Sequence, residues 1–335
     1  MSEILMEVTR GPLAENLLRG HLAVLGENGR LQAFCGDPDY VSYLRSAAKP
    51  LQASAAVEAG VIAHYGISQE ELAVMCGSHL GEDVHVRAVT SILHKIGLTE
   101  ADLTLGPELS LSKDLREQRL ADHLPPRKIY NNCSGKHSCM LALCQYYGYD
   151  YGAYQRLEHP VQQLILQTLA AYADYPAERI IIGVDGCGVP VFALPLRQMA
   201  LAYYRLCNPE NLPPARAGAA RLITAAMARH PEMVAGTGRF CTELMRATQG
   251  RIIGKLGADG VYCCAPQGGK TAIALKMEDG SGQALAPVMV SALTQLGLLT
   301  AGEQQALKAF AAIDNYNCQG ERVGQWRPVF TLRQA

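Results

Sequence analysis

The sequence predicts an α+β fold, an antiparallel sheet flanked by helices, and three observations carry that expectation. Apolar runs at residues 21–25 and 30–34 flank Gly26-Glu27-Asn28-Gly29, and Asn-Gly between apolar runs is a strong hairpin signal. Helical periodicity dominates the middle of the chain. Residues 251–256, 260–264 and 271–276 are strand-like runs separated by glycine-containing turns, the pattern of an antiparallel meander. With strands near both ends and helices between, residues 1–335 read as one domain whose N- and C-terminal strands share one sheet.

Taken in order, the first helix is expected over residues 50–58, with Pro50 at the first helical position. A second is expected over 68–74, where Ser68-Gln69-Glu70-Glu71 reads as an N-cap with glutamate in the first turn. Over 82–96, Val86, Val89, Leu93 and Ile96 recur at helical spacing, and Gly97 suits a left-handed cap. Residues 107–127 are charged and proline-bounded, which suggests a surface excursion with a short helix. Helices follow at 136–147 and 157–173, a buried strand at 179–184, and helices at 192–206 and 215–229. After the meander, helices at 286–296 and 301–312 close the chain.

A chain of 335 residues, 49% hydrophobic and 18% charged, has enough apolar surface for a large core. The net charge is -1 and acidic and basic residues are mixed, so no basic stripe offers phosphate contacts and no nucleic-acid partner is expected. The start, Met1-Ser2-Glu3-Ile4-Leu5-Met6-Glu7, carries acid early and lacks the basic-then-apolar pattern of a signal peptide. Apolar stretches stop short of a membrane-spanning length, so no membrane partner and a cytoplasmic location are expected. Of eleven cysteines, Cys35, Cys144, Cys207, Cys241, Cys263, Cys264 and Cys318 read as small buried hydrophobes. Cys76, Cys133, Cys139 and Cys187 lie beside glycine and polar clusters and invite a functional reading.

Arg45-Ser46-Ala47-Ala48-Lys49-Pro50 places a hydroxyl three residues before an amine, one turn of 3₁₀ or helical backbone apart. A serine becomes a nucleophile when a neighbouring neutral amine takes its proton. Ser-x-x-Lys also arises by chance on helix surfaces, but here an apolar run follows and carries the pair into the core. Ser78, in Cys76-Gly77-Ser78-His79-Leu80-Gly81-Glu82, has a helix cap as its default role. Lys255 interrupts an apolar strand and must meet solvent, a partner or a site, so Ser78 and Lys255 form a second serine and lysine pair if they converge.

Asn131-Asn132-Cys133-Ser134-Gly135-Lys136-His137 concentrates polar and ligand-type side chains before a helix, and Asp185-Gly186-Cys187-Gly188 leaves a strand end. Thiolates from Cys133 and Cys187 with a third ligand from the first loop would hold a tetrahedral zinc with one open position. The spacing follows no finger or ribbon pattern, and two buried thiols in glycine-rich turns is the equal alternative. By chemistry alone His137 is the obvious third ligand. Gly269-Lys270-Thr271 superficially resembles a β-lactamase element, but Lys270 reads better as an exposed strand-edge lysine.

Together, Arg45-Ser46-Ala47-Ala48-Lys49-Pro50, Ser78-His79, residues 131–137, Asp185-Gly186-Cys187 and Lys255-Leu256-Gly257-Ala258-Asp259-Gly260-Val261 resemble the L-asparaginase II family, the zinc-containing rhizobial-type asparaginases. The resemblance runs in order over nearly the whole chain. It implies hydrolysis of L-asparagine to L-aspartate and ammonia by a homodimer, on a fold similar to serine β-lactamases and glutaminases. Carried over by motif, Ser46 with Lys49 and Ser78 with Lys255 are the catalytic tandems. Cys133, Lys136 and Cys187 are the implied Zn2+ ligands, displacing His137 from that role, and Arg45, His137 and Asp185 are implied substrate contacts or supports of the ligands. Leu80, Cys139 and Gly188-Val189 depart from the family pattern without removing a catalytic residue type. Two other readings stand beside it: a β-lactamase-like or penicillin-binding serine hydrolase, and a protein that binds metal or amino acid without turnover.

Overall fold

The computed structural model describes residues 1–335 and contains twelve strands. They are β1 (Glu3–Arg10), β2 (Leu13–Leu25), β3 (Leu31–Cys35), β4 (Val41–Tyr43), β5 (Ile181–Val184), β6 (Pro190–Pro195), β7 (Ile252–Gly257), β8 (Val261–Pro266), β9 (Ala272–Met277), β10 (Ile313–Tyr316), β11 (Arg322–Pro328) and β12 (Arg333–Gln334). Nine form one antiparallel sheet in the order β10-β11-β1-β2-β9-β8-β7, with β3 also on β2 and β12 on β3. A smaller sheet runs β4-β6-β5.

The hairpin expected at Asn28-Gly29 forms between β2 and β3, with Leu22 opposite Cys35 and Asn28 and Gly29 both at positive φ. The meander of β7, β8 and β9 also forms as expected, and it joins the N-terminal sheet where Leu22 pairs with Leu275. Helix Leu196–Cys207 packs on β2, β8 and β9 and buries Met199, Ala202, Tyr203 and Leu206, so the main core lies between this sheet and the helical layer.

Ser68 caps helix Gln69–Met75 through a reciprocal box in which its Oγ accepts from Glu71 N–H and its own N–H donates to Glu71 Oε2 at 2.6 Å. Helix Asp83–Lys95 ends before Gly97 at φ +73°. The excursion over 107–127 carries the short helix Lys113–Ala121, whose side chains are solvent-facing except Arg119. No helix is long and apolar enough to cross a membrane.

Several expectations need correction. Residues 192–195 are not helical: Pro190 and Pro195 bracket β6, and the helix starts only at Leu196 because Pro195 serves as its N-cap. The strand placed at 179–184 is not buried. It forms β5, at the edge of the three-stranded sheet, and Ile181 and Val184, on its opposite faces, are 55% and 79% exposed. Two helices do not close the chain, since β10, β11 and β12 follow them and β11 pairs with β1. Cys318 is exposed in the polar turn between β10 and β11, so it is no buried hydrophobe. Helix Ser134–Tyr147 begins two residues before its expected start, which places Lys136 in its first turn.

Two glycines let the parts meet. A Cβ on Gly257 would overlap the Leu44 carbonyl oxygen, so the bare backbone lets β7 press against the turn that leads to Ser46. A Cβ on Gly135 would overlap the Val74 carbonyl oxygen, which lets helix Ser134–Tyr147 cross close to helix Gln69–Met75.

Candidate active site

Ser46 sits in the 3₁₀ turn Arg45–Ala48, which runs directly into helix Lys49–Glu58 with Pro50 as its second residue, one position later than expected. The turn starts with Arg45 at φ +49°, a left-handed conformation that costs an arginine energy and that the ion pairs at this residue help to hold. Arg45 Nε donates to Asp185 Oδ1 at 2.9 Å, and the same guanidinium pairs with Asp259, which lies in the turn after β7.

Lys49 is 1% exposed, and its Nζ donates to Gly77 O at 2.7 Å, to Asn132 O at 3.1 Å and to Ser78 Oγ at 2.9 Å. The expected hydrogen bond between Lys49 and Ser46 is therefore not the one that forms. The helical turn sends the amine inward to the loop after helix Gln69–Met75, while the Ser46 side chain makes no hydrogen bond and remains 8% exposed. Lys255, on β7 opposite Cys263, reaches the same hydroxyl from the other side, with Nζ 3.0 Å from Ser78 Oγ and 2.8 Å from Leu256 O. Ser78 does not cap the next helix, whose N-cap is Glu82. Burial lowers both lysines from the ordinary amine range, and Lys255 is pulled down to about 7.

A second group lies beside this one. Cys133, Asp185 and Cys187 each offer a ligand atom, all within 4.8 Å of one another. Lys136 Nζ is 2.9 Å from Cys187 Sγ and 3.6 Å from Asp185 Oδ2. Burial alone would lower Lys136, but Cys133, Cys187 and Asp185 together hold it above the ordinary range. The proximity of Cys187, with Lys136 and Lys49 nearby, lowers Cys133 well below the usual thiol range, while Cys133 and burial push Cys187 up, and Cys187 Sγ donates to Asp185 Oδ2 at 3.6 Å. Burial would raise Asp185, yet Lys136 and Arg45 keep it below the usual carboxylate range. Two sulfurs, an amine and a carboxylate in one buried corner make a donor set that suits a soft, tetrahedral ion such as zinc.

His137 does not join this corner. Its Nδ1 is hydrogen-bonded with Tyr154 Oη at 2.7 Å, Tyr154 Oη also accepts from Thr104 N–H at 3.1 Å, and the buried Nε2 has no partner. His79 lies deeper: its Nδ1 accepts from Gly81 N–H, its Nε2 donates to Ser134 Oγ at 2.9 Å, and burial lowers it far enough to keep it neutral. Lys270 is exposed and paired with Glu27, as its strand-edge reading anticipates. Tyr154 and Asp259 join the site without a role expected from the sequence. Asp259 had a visible signal, a charged residue in an Asp-Gly turn directly after the Lys255 strand, whereas nothing near Tyr154 pointed to His137.

A family model described as L-asparaginase II matches residues 6–328. No curated protein matches the chain. Among solved structures, the chain is similar to Mglu in its native form, at 14% identity and a TM-score of 0.47 over 84% of this chain, and spans 64% of that chain's length. It is also similar to a β-lactamase from Mycobacterium bovis, at 16% identity and a TM-score of 0.41 over 87% of this chain and 95% of that one. Both likenesses are too distant to carry chemistry from one protein to the other.

Proposed function

The chain belongs to the L-asparaginase II family, and from that premise we propose that it hydrolyses L-asparagine to L-aspartate and ammonia through an acyl-enzyme built on serine and lysine. The observation that supports this most is the convergence of two buried amines, Lys49 and Lys255, on the Ser78 hydroxyl, with Lys49 one turn of chain after an unpartnered Ser46. Ser46 attacks the side-chain amide carbon. Its proton passes to Lys49, whose amine burial lowers from the ordinary range, and Ser78 links Lys49 to Lys255 so that a proton reaches the departing nitrogen and ammonia leaves. Water then attacks the acyl carbon while the same relay takes its proton, and Ser46 regains its hydrogen as L-aspartate departs.

Cys133, Lys136 and Cys187, with Asp185 close by, are the residues that would hold Zn2+. When bound, zinc there would supply a Lewis acid that polarises and orients a substrate oxygen. Lys136 would have to give up its proton to become a ligand. Arg45 and His137 serve the substrate: the first is a fixed cation, the second a buried imidazole whose Nε2 has no partner. A homodimer, with the exposed apolar Val41, Tyr43 and Ile181 on one face of the small sheet as its contact surface, and a cytoplasmic location that suits eleven free thiols complete the reading.

One observation favours a second assignment within this mechanism. Ser78, not Ser46, bonds both amines, which would make Ser78 the nucleophile. Rapid acid quench during L-asparagine turnover, followed by peptide mapping, decides between them: an aspartyl adduct on Ser46 supports the first assignment, and one on Ser78 replaces it. Ammonia release from L-asparagine with no opening of a penicillin reporter separates the amidohydrolase from a β-lactamase-like hydrolase. L-asparagine binding without ammonia release would end the enzymatic reading.

A further inference from the structure

We propose that Glu108 recognises the α-ammonium group of the amino-acid substrate, from a segment anchored between the loop that carries Ser78 and the loop that carries Cys133. This rests on the amidohydrolase reading above and adds to it the residue that selects an amino acid over a plain amide.

Residues 106–110 bridge the two loops. At one end the Gly106 carbonyl accepts from Asn131 Nδ2 at 3.1 Å, two residues before Cys133; at the other, Ser110 Oγ donates to Leu80 O at 2.5 Å, two residues after Ser78. Between these anchors the Glu108 backbone is fixed by a two-way bridge to Arg127, at 3.0 and 2.9 Å. Arg119, the buried side chain of the excursion helix, clamps the next residue by donating to Leu109 O, and it also holds Gly81 O and lies 3.7 Å over the Tyr130 ring.

With its backbone so constrained, Glu108 keeps Oε2 buried and without any hydrogen-bond partner. A buried carboxylate oxygen without a donor costs more than a satisfied one, so a rigid segment that retains it is poised for a donor that arrives from outside. The charges around it agree: burial and the neighbouring Cys133 raise its pKa, against a smaller opposing pull from Lys49 and Arg116, so a compact cation placed beside it would be stabilised. A primary ammonium supplies both the charge and the donor hydrogens.

The test uses the full chain with L-asparagine and with succinamate, which is the same molecule without its α-amino group. In Glu108→Gln, kcat/KM for L-asparagine should fall about 10- to 100-fold, mostly through KM, while the loss with succinamate is at least tenfold smaller. Glu108→Asp should recover part of the difference, and calorimetry should show L-aspartate binding weakened in the same proportion as L-asparagine use. Equal losses on both substrates, which a proton-transfer or merely structural role predicts, would overturn the assignment, as would an unchanged KM for L-asparagine. Wild-type protein that releases no ammonia defeats the underlying reading instead; L-aspartate binding in wild type and its weakening in Glu108→Gln then still decide whether Glu108 recognises the amino acid.

Discussion

Lys255 and Lys136 are both buried, at 0% and 3% exposure, and they lie on adjacent sides of one site, yet they are driven in opposite directions. Lys255 has a hydroxyl and a carbonyl for company and no anion in contact, so burial wins and the amine falls to about 7. Lys136 touches a thiol and faces a thiolate and a carboxylate, which outweigh the same desolvation and raise it. The comparison teaches that burial sets the stakes for a lysine and its nearest anions decide the sign. It also divides the labour: one lysine is built to exchange protons near neutrality, the other to hold charge together in a corner suited to a metal.

The strongest way to break this division is Lys255→Met, which should lower ammonia release from L-asparagine by about 10²- to 10⁴-fold, the usual span of general acid–base contributions; a loss under tenfold would remove Lys255 from the proton relay. Less severe is the loss expected on the thiol side. Cys187→Ser should empty the chain of zinc by elemental analysis and cost turnover about 10- to 100-fold, whereas wild-type protein without stoichiometric zinc would refute the ligand assignment. A pH profile sharpens the contrast further, because Lys255 must be neutral to accept a proton. The logarithm of kcat/KM should therefore climb with pH and level off near 7, the value to which Lys255 is pulled down.

The smallest effects are on stability, and their signs differ. Lys255 is depressed in the folded chain relative to ~10.4 unfolded, so between about 7 and that value the unfolded state binds more protons and this group's contribution improves as pH rises. Lys255→Met should thus be more stable than wild type at pH 7 by about 1–3 kcal/mol, an advantage that shrinks towards pH 10. Lys136 is raised, so its contribution is present below ~10.4 and is lost as pH rises through the higher folded value. Lys136→Met should be less stable at pH 7 by about 1–3 kcal/mol in the presence of chelator. Urea unfolding at pH 7 and pH 9.5 measures both.

Local signals were the legible part of the sequence. Asn28-Gly29 specified its hairpin and Ser68 its cap, because each works through backbone atoms a few residues away. Phe192 and Ala193 were read as helix because a short apolar run suits either period; the pairing of Ala193 with both Tyr43 and Ile181 settled it, and that contact is invisible locally. The site divides in the same way. The motif placed Lys49 three residues after Ser46, but its hydrogen bond goes to Ser78, chosen by where helix Gln69–Met75 ends against the core. The charge of residues 107–127 suggested only a solvated surface, and it hid Arg119 and Glu108, whose roles arise from loops elsewhere in the chain.

The 177-residue separation between Ser78 and Lys255 has a consequence for how the protein comes into being. Lys255 rides on β7, which joins its sheet only through β8 and β9, so its meeting with Ser78 depends on the long-range pairing that sets the meander against β2. Contacts of such span are slow to form. A chain that has emerged only as far as Cys187 carries Ser46, Lys49, Ser78, Cys133 and Cys187 but not the second amine, so the proposed relay needs the C-terminal third of the sequence.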